Sequence, residues 1–171
     1  MNRKNVALLT AGIVLALAGT AQAATRTAAF QVSANVVDNC IIGATALNLG
    51  TFDGTNDLTS SSNITVRCSN GSDFTVDLST GVSGSYTARH LVNATSTSGL
   101  PLVYNLYLED TYNTVWGNGS NGTGRVSDFG EGMALANAIT HTVYGRLLAS
   151  SNTGAIDAGS YTDTITATVT Y

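Results

Sequence analysis

Apolar and polar residues alternate with a period of two through most of this chain. Ala28, Phe30, Val32, Ala34 and Val36 fall on one side of an extended backbone, and Thr27, Gln31, Ser33 and Asn35 fall on the other. That is the pattern of a half-buried strand. Similar runs cover residues 46–52, 63–68, 73–79, 102–109, 139–148 and 162–171, and Val, Ile, Thr and Tyr dominate them. Gly, Ser, Asn and Asp separate the runs, and Pro101 stands just ahead of one, where a missing N–H does little harm. No segment of the body carries a helical period over three turns; residues 135–139 come nearest. The glycine-rich stretch 116–132 reads as a loop. Six or seven short strands in about 150 residues predict an all-β sandwich of the immunoglobulin type, with a barrel as the alternative.

The last run is unusual. Ile165, Ala167, Val169 and Tyr171 form an apolar face against Thr164, Thr166, Thr168 and Thr170, and no strand follows. One edge of this strand is therefore expected to be open, and an open apolar edge invites another chain to pair with it.

The first residues are not expected to join the fold. Arg3 and Lys4 precede an apolar run from Val6 to Ala18, and Ala21-Gln22-Ala23 supplies a small-x-small cleavage site. Residues 1–23 thus read as a signal peptide, too short and too early for a membrane span. The mature chain would be one domain of 148 of the 171 residues, secreted and without membrane insertion. Cleavage removes the only lysine, and five arginines facing eleven acids bring the formal charge from −4 to about −6. Such a surface repels nucleic acid and anionic lipid. Cys40 and Cys68 are the only cysteines. In an oxidising compartment such a pair most often forms a disulfide, worth roughly 3–4 kcal/mol by the chain-entropy model, and two buried thiols are the alternative.

Other chemistry finds little support. Gly117-Asn118-Gly119-Ser120-Asn121-Gly122 matches G-x-G-x-x-G, but no helix pattern follows it, so it reads as a turn-rich loop. His90 and His141 lack a nucleophile or metal-ligand spacing, and His141 lies in phase with Ile139 and Val143 in a strand. The acids Asp53, Asp57, Asp73, Asp77, Glu109 and Asp110 are scattered turn residues without a calcium-loop ending. Sequons such as Asn63-Ile64-Thr65 are frequent by chance in so polar a chain. Tyr104, Tyr107, Tyr112 and Trp116 read as core and edge packing rather than a sugar platform. No catalytic residue, metal site or cofactor is expected, so an enzyme is not the reading.

A series of short motifs runs in a fixed order. An alternating N-terminal strand precedes Cys40. Leu49-Gly50-Thr51-Phe52 follows, then Ile64-Thr65-Val66-Arg67-Cys68, Tyr104-Asn105-Leu106-Tyr107, Trp116-Gly117 and Val143-Tyr144-Gly145. Ala158-Gly159-Ser160-Tyr161-Thr162-Asp163 leads into a last strand ending on an aromatic. Over essentially all of residues 24–171 this resembles the spore coat protein U domain, found in subunits of archaic chaperone–usher pili. The resemblance implies an incomplete immunoglobulin-like sandwich that lacks its last strand. A periplasmic chaperone lends a strand to the gap. At an outer-membrane usher, the N-terminal segment of a neighbouring pilus subunit replaces it by donor-strand exchange. The product would be a surface pilus serving adhesion and biofilm growth; a tip adhesin or extracellular coat or matrix protein of the same fold is the alternative.

Carried onto this chain, the resemblance implies a donor segment over residues 24–38 and a pilin-like domain over 39–171. Ala28, Phe30, Val32, Ala34 and Val36 would be the donor side chains, and Ile165, Ala167, Val169 and Tyr171 the edge of the acceptor groove. Two donor positions are only alanine. The terminal aromatic is the last residue, whereas the better-known pilus families carry a near-terminal tyrosine.

Overall fold

The computed structural model describes residues 22–96 and 99–171. The leader expected over residues 1–23 lies almost wholly outside them. The chain divides after Asn35. Every described residue of the first unit is exposed, and Phe30 and Val32 keep 86% and 83% of their surface in water.

The second unit is all-β. Its strands are β1 (Cys40–Ala44), β2 (Leu58–Cys68), β3 (Asp73–Leu78), β4 (Arg89–Leu91), β5 (Leu102–Tyr107), β6 (Val126–Phe129), β7 (Ile139–Leu147) and β8 (Ala167–Thr170). They form a five-stranded sheet of order β1-β2-β7-β5-β4 and a three-stranded sheet of order β6-β3-β8, and every pairing is antiparallel. Alternation decides the inner faces. Ile64, Val66 and Cys68 of β2, Val143 and Leu147 of β7, and Phe74, Val76 and Leu78 of β3 meet in one core with Trp116. This is the face-to-face packing of an immunoglobulin-like sandwich.

Cys40 and Cys68 are cross-strand partners in the β1–β2 ladder and are joined by a disulfide. The bond holds the start of the domain at one pole. There Ser69 N donates to Asn39 O at 2.9 Å, and Ser69 Oγ receives Asn39 N and donates to Val37 O.

The strand pattern departs from expectation in several places. Residues 28–36 form no strand, β1 falls outside the expected runs, and the last strand begins at Ala167 rather than at 162. Residues 46–52 are not a strand. Leu49 and Phe52 both turn inward although they are three apart, which a period of two forbids; Gly50, at φ 94°, supplies the break. The loop expected over 116–132 contains β6, whose inward positions are Val126 and Asp128 rather than an apolar pair. The short β4 carries a buried arginine where an apolar residue would advertise a strand.

His141 of β7 sits between the sheets. Its ring meets Phe74 edge-on at 6.2 Å, and its Nε2 lies 3.7 Å from Asp128 of β6 without a hydrogen bond. Burial lowers the imidazole below its ordinary value near 6.5, and Asp128 opposes that shift only in part. The unfolded chain therefore binds this proton more readily. The stability that depends on neutral His141 is complete above the unfolded value and is lost as the pH falls through it. The urea midpoint should drop between about pH 7.5 and about pH 5.5, and His141→Gln should flatten that slope. An unchanged slope in the variant would assign the pH dependence to other groups.

Candidate functional site

The sandwich is open along one side. β8 pairs with β3 on one edge only, and the facing wall is the irregular segment 45–52 that follows β1. Between them lies a groove of about 670 Å³, walled by residues 44–52 on one side and by residues 156–161, 163–165 and Ala167 on the other. Its floor is core: Ile64, Leu78, Leu102, Leu106, Val143 and Leu147.

Both walls carry backbone that nothing satisfies. Among the described residues, the N–H and carbonyl groups of Leu47, Leu49 and Ile165 have no hydrogen-bond partner. The other edge of residues 162–166, which lead into β8, is bonded at both ends. Ser79 N donates to Thr166 O, Thr166 N donates to Ser79 Oγ, and Val92 and Thr162 exchange both bonds. The result is an apolar slot with a half-finished ladder on each side.

Three sets of residues hold the walls. Leu47 and Leu49 lie over Gly145 of β7, where an added Cβ would come within 2.9 Å of Leu47. A larger residue at 145 would oblige the Leu47 side chain to move. At the wide mouth, the Tyr104 hydroxyl donates to Asp163 Oδ2 at 2.8 Å, and Asp163 Oδ1 accepts from Val82 N at 3.0 Å. Burial, reinforced by Asp163, pushes the Tyr104 phenol far up, so it stays a donor. An added Cβ on Gly81, at φ 66°, would run into the Asp163 carboxylate. Beneath the β8 wall lies Arg89, fully buried. Its guanidinium donates to Ser79 O at 3.0 and 2.8 Å, to Asn105 Oδ1 at 2.7 Å and to Trp116 O at 2.8 Å. Because Ser79 is the residue that grips Thr166, Arg89 anchors this wall to the core. Nothing in the sequence singled Arg89 out, since its partners are mostly carbonyls that only the fold assembles. Trp116 is also fully buried and donates its indole N–H to Val76 O.

The expected groove residues divide. Ile165 and Ala167 line the groove. Val169 packs against the core beyond its end, and Tyr171, 56% exposed, lines a separate depression with Asp73, Thr75, Ser127 and Phe129. The expected donor side chains Ala28, Phe30, Val32, Ala34 and Val36 are all exposed.

The other candidates do not form a chemical site. Tyr104 and Trp116 are in the core, while Tyr107 and Tyr112 pack edge to face with Arg146 over the Tyr112 ring. Asp53 caps its own turn through the N–H groups of Thr55 and Asn56, which hold its carboxyl well below the usual range. Residues 117–122 form turns, with Gly117 tight against Thr123. Among the described residues, no three His, Cys, Asp or Glu gather as a metal site, and no helix is long and apolar enough to cross a membrane.

Gly145→Val should drive Leu47 off the floor and cost about 1–3 kcal/mol as overpacking, read from urea unfolding. A loss below a few tenths of a kcal/mol would mean that the wall does not depend on this contact.

Comparison with known proteins agrees with this geometry. The Spore Coat Protein U domain matches residues 26–168. Protein U of Myxococcus xanthus is 35% identical over 183 aligned positions, covering 97% of this chain and 96% of that protein. Among solved structures, a crystal structure of the CsuC–CsuE chaperone–tip adhesion subunit pre-assembly complex, from the archaic chaperone-usher Csu pili of Acinetobacter baumannii, shares the fold. Its TM-score is 0.52 at 24% identity, over 80% of this chain but only 40% of the solved one.

Proposed function

The chain belongs to the spore coat protein U domain family, and on that footing we propose that it is a structural subunit of a cell-surface pilus assembled through donor-strand exchange. One observation carries the reading. A core groove has unsatisfied backbone on both walls, and the same chain has an exposed segment, residues 24–38, whose alternate side chains are apolar. A strand laid in the groove would complete both ladders and bury its inward side chains.

The energetics favour it. Burying Phe30, Val32 and Val36 would contribute on the order of 5–8 kcal/mol, at about 1.5–3 kcal/mol each. Donor and groove are different parts of one molecule, so the contact between copies is heterologous and extends into an open filament. Until a neighbour arrives, the groove needs a temporary partner. A periplasmic chaperone fills that role in this reading, in keeping with the chaperone–subunit complex that shares the fold. Transfer at an outer-membrane usher, passage of residues 24–171 through the periplasm after loss of residues 1–23, and a part in adhesion and biofilm growth complete the proposal. The rival reading, an extracellular coat or matrix protein of the same fold, draws on the family's description as a spore coat domain.

The test is polymerisation of the purified mature protein. Donor-strand fibres are held by slow unfolding, so the wild type should give SDS-resistant ladders that vanish on boiling. Phe30→Asp should abolish the ladders. Its unfolding transition should stay within about 0.5 kcal/mol of wild type, because Phe30 is exposed in the free domain. Normal ladders from Phe30→Asp would sink the proposal.

A further inference from the structure

We propose that Ala44 and Ala167 form a size filter at the closed end of the groove. In this reading the filter fixes the register of the incoming strand, with Ala28 of a second copy between them. The inference rests on the donor-strand reading and adds which side chain sits where.

The groove has two unlike ends. Its walls run on to residues 48–52 and 156–163 at one end, and at the other they stop at Ala44 and Ala167. Beyond those two alanines β1 and β8 lie side by side without pairing, and Ile42 and Val169 pack down on the core and close the slot. Ala44 faces inward, because it is the ladder partner of the buried Ile64. Ala167 lies in the inward series with Ile165 and Val169. The last place available for an incoming side chain therefore lies between two methyl groups.

The closed end also dictates direction. A domain's own N-terminal segment departs at the Asn39–Ser69 junction, on the pole of the disulfide, and Thr170 of β8 reaches that same pole beside Thr75. A donor whose body lay at this end would have to cross the closed β1–β8 contact. The donating body must therefore sit at the wide mouth, with the early residues of its strand at the closed end. That strand runs parallel to residues 44–52 and antiparallel to residues 159–167.

Size then picks one register. The donor series from Ala28 to Val36 is nine residues long and spans about 26 Å when extended, and the wall from Ala167 back to Ile156 is long enough to flank it. With Ala28 level with Ala44 and Ala167, Phe30 falls level with Ile165 and over the apolar floor. Val32 falls level with Asp163, Ala34 with Tyr161, and Val36 at the mouth near Phe52. The two alanines that look like weak anchors thus each have a defined neighbour. Ala28 meets the closing pinch, and Ala34 lies beside a tyrosine whose hydroxyl is tied to Asp157 O at 2.9 Å. A slip by two residues would put Phe30 in the pinch.

The occupant that fits is a second copy of this chain, whose small Ala28 is followed two positions later by the large apolar Phe30. The acceptor for the test is the full mature chain carrying Phe30→Asp, whose own donor is silenced, refolded from urea with synthetic peptides of residues 24–38. The wild-type peptide should be captured in an SDS-resistant complex. The Ala28→Leu peptide should be captured at least about tenfold less, and adding Ala167→Gly to the acceptor should restore at least a third of that capture. Equal capture of the two peptides by the unmodified acceptor, or no recovery with Ala167→Gly, overturns the size filter while leaving donor-strand exchange intact. Failure to capture even the wild-type peptide overturns the donor-strand reading itself. Because the Ala28 substitution resides in the peptide, the comparison of the two peptides does not depend on the acceptor's folding, and capture of the wild-type peptide by the Ala167→Gly acceptor shows that this variant folds.

Discussion

Everything in this molecule turns on one ladder that is only half built. β8 finds β3 on one edge, and across the groove the segment after β1 finds no strand at all. In a complete sandwich a strand between them would satisfy Leu47, Leu49 and Ile165 and cover Ile64, Val143 and Leu147. Here that backbone is unpaired, and a groove takes the strand's place over a floor that is itself buried core. Unsatisfied groups can be tolerated where water reaches them, but an apolar trough beside them is a strong demand for a strand. The domain has built around the gap rather than closing it.

The surrounding residues read as means of keeping that gap in shape. An open groove in a small sandwich should collapse, because apolar walls gain by meeting. They do meet at the pole of the disulfide, where β1 and β8 come together. Elsewhere they are held apart or held down. Gly145 seats Leu47 and Leu49 against the floor, Tyr104 and Asp163 brace the mouth, and Arg89 fixes Ser79, which in turn grips Thr166. A buried guanidinium with no carboxylate partner is a costly choice, and its four hydrogen bonds to carbonyl oxygens offset the desolvation. It also bonds to the end of β3 and to the Trp116 turn from β4, which an apolar side chain could not do.

Much of this was legible in residue order, and the exceptions share a cause. Strands whose inward positions are apolar, such as β2, β3, β5 and β7, follow directly from the period of two. The alternating series at 28–36, the donor in the proposed exchange, stands out for the same reason. Residues 46–52 show the same alternation, yet a strand needs a hydrogen-bonded neighbour as well as a pattern, and that neighbour is absent from this chain's own fold. β6 escaped notice because its inward pair is Val126 and Asp128, among glycines. β4 escaped because its buried residue is Arg89. Tyr171 continues the inward series of the last strand on paper. The groove, however, ends at Ala167, four residues earlier, because β1 closes on β8 there, and periodicity carries no information about that closure. The short motifs that carry the family resemblance map onto the brace points: Leu49-Gly50-Thr51-Phe52 and Gly145 on one wall, Tyr104 and Asp163 at the mouth, Trp116 beneath.

The central claim is that assembly completes both ladders of the groove with a strand from another copy. Amide hydrogen exchange reads those ladders directly. In assembled wild-type protein compared with the Phe30→Asp monomer, amides in residues 45–52 and 161–167 should slow by about a hundredfold or more, while the β2–β7 ladder stays protected in both. Fibres in which these two segments exchange as fast as in the monomer would show that the copies are joined by some other surface, and would contradict the account.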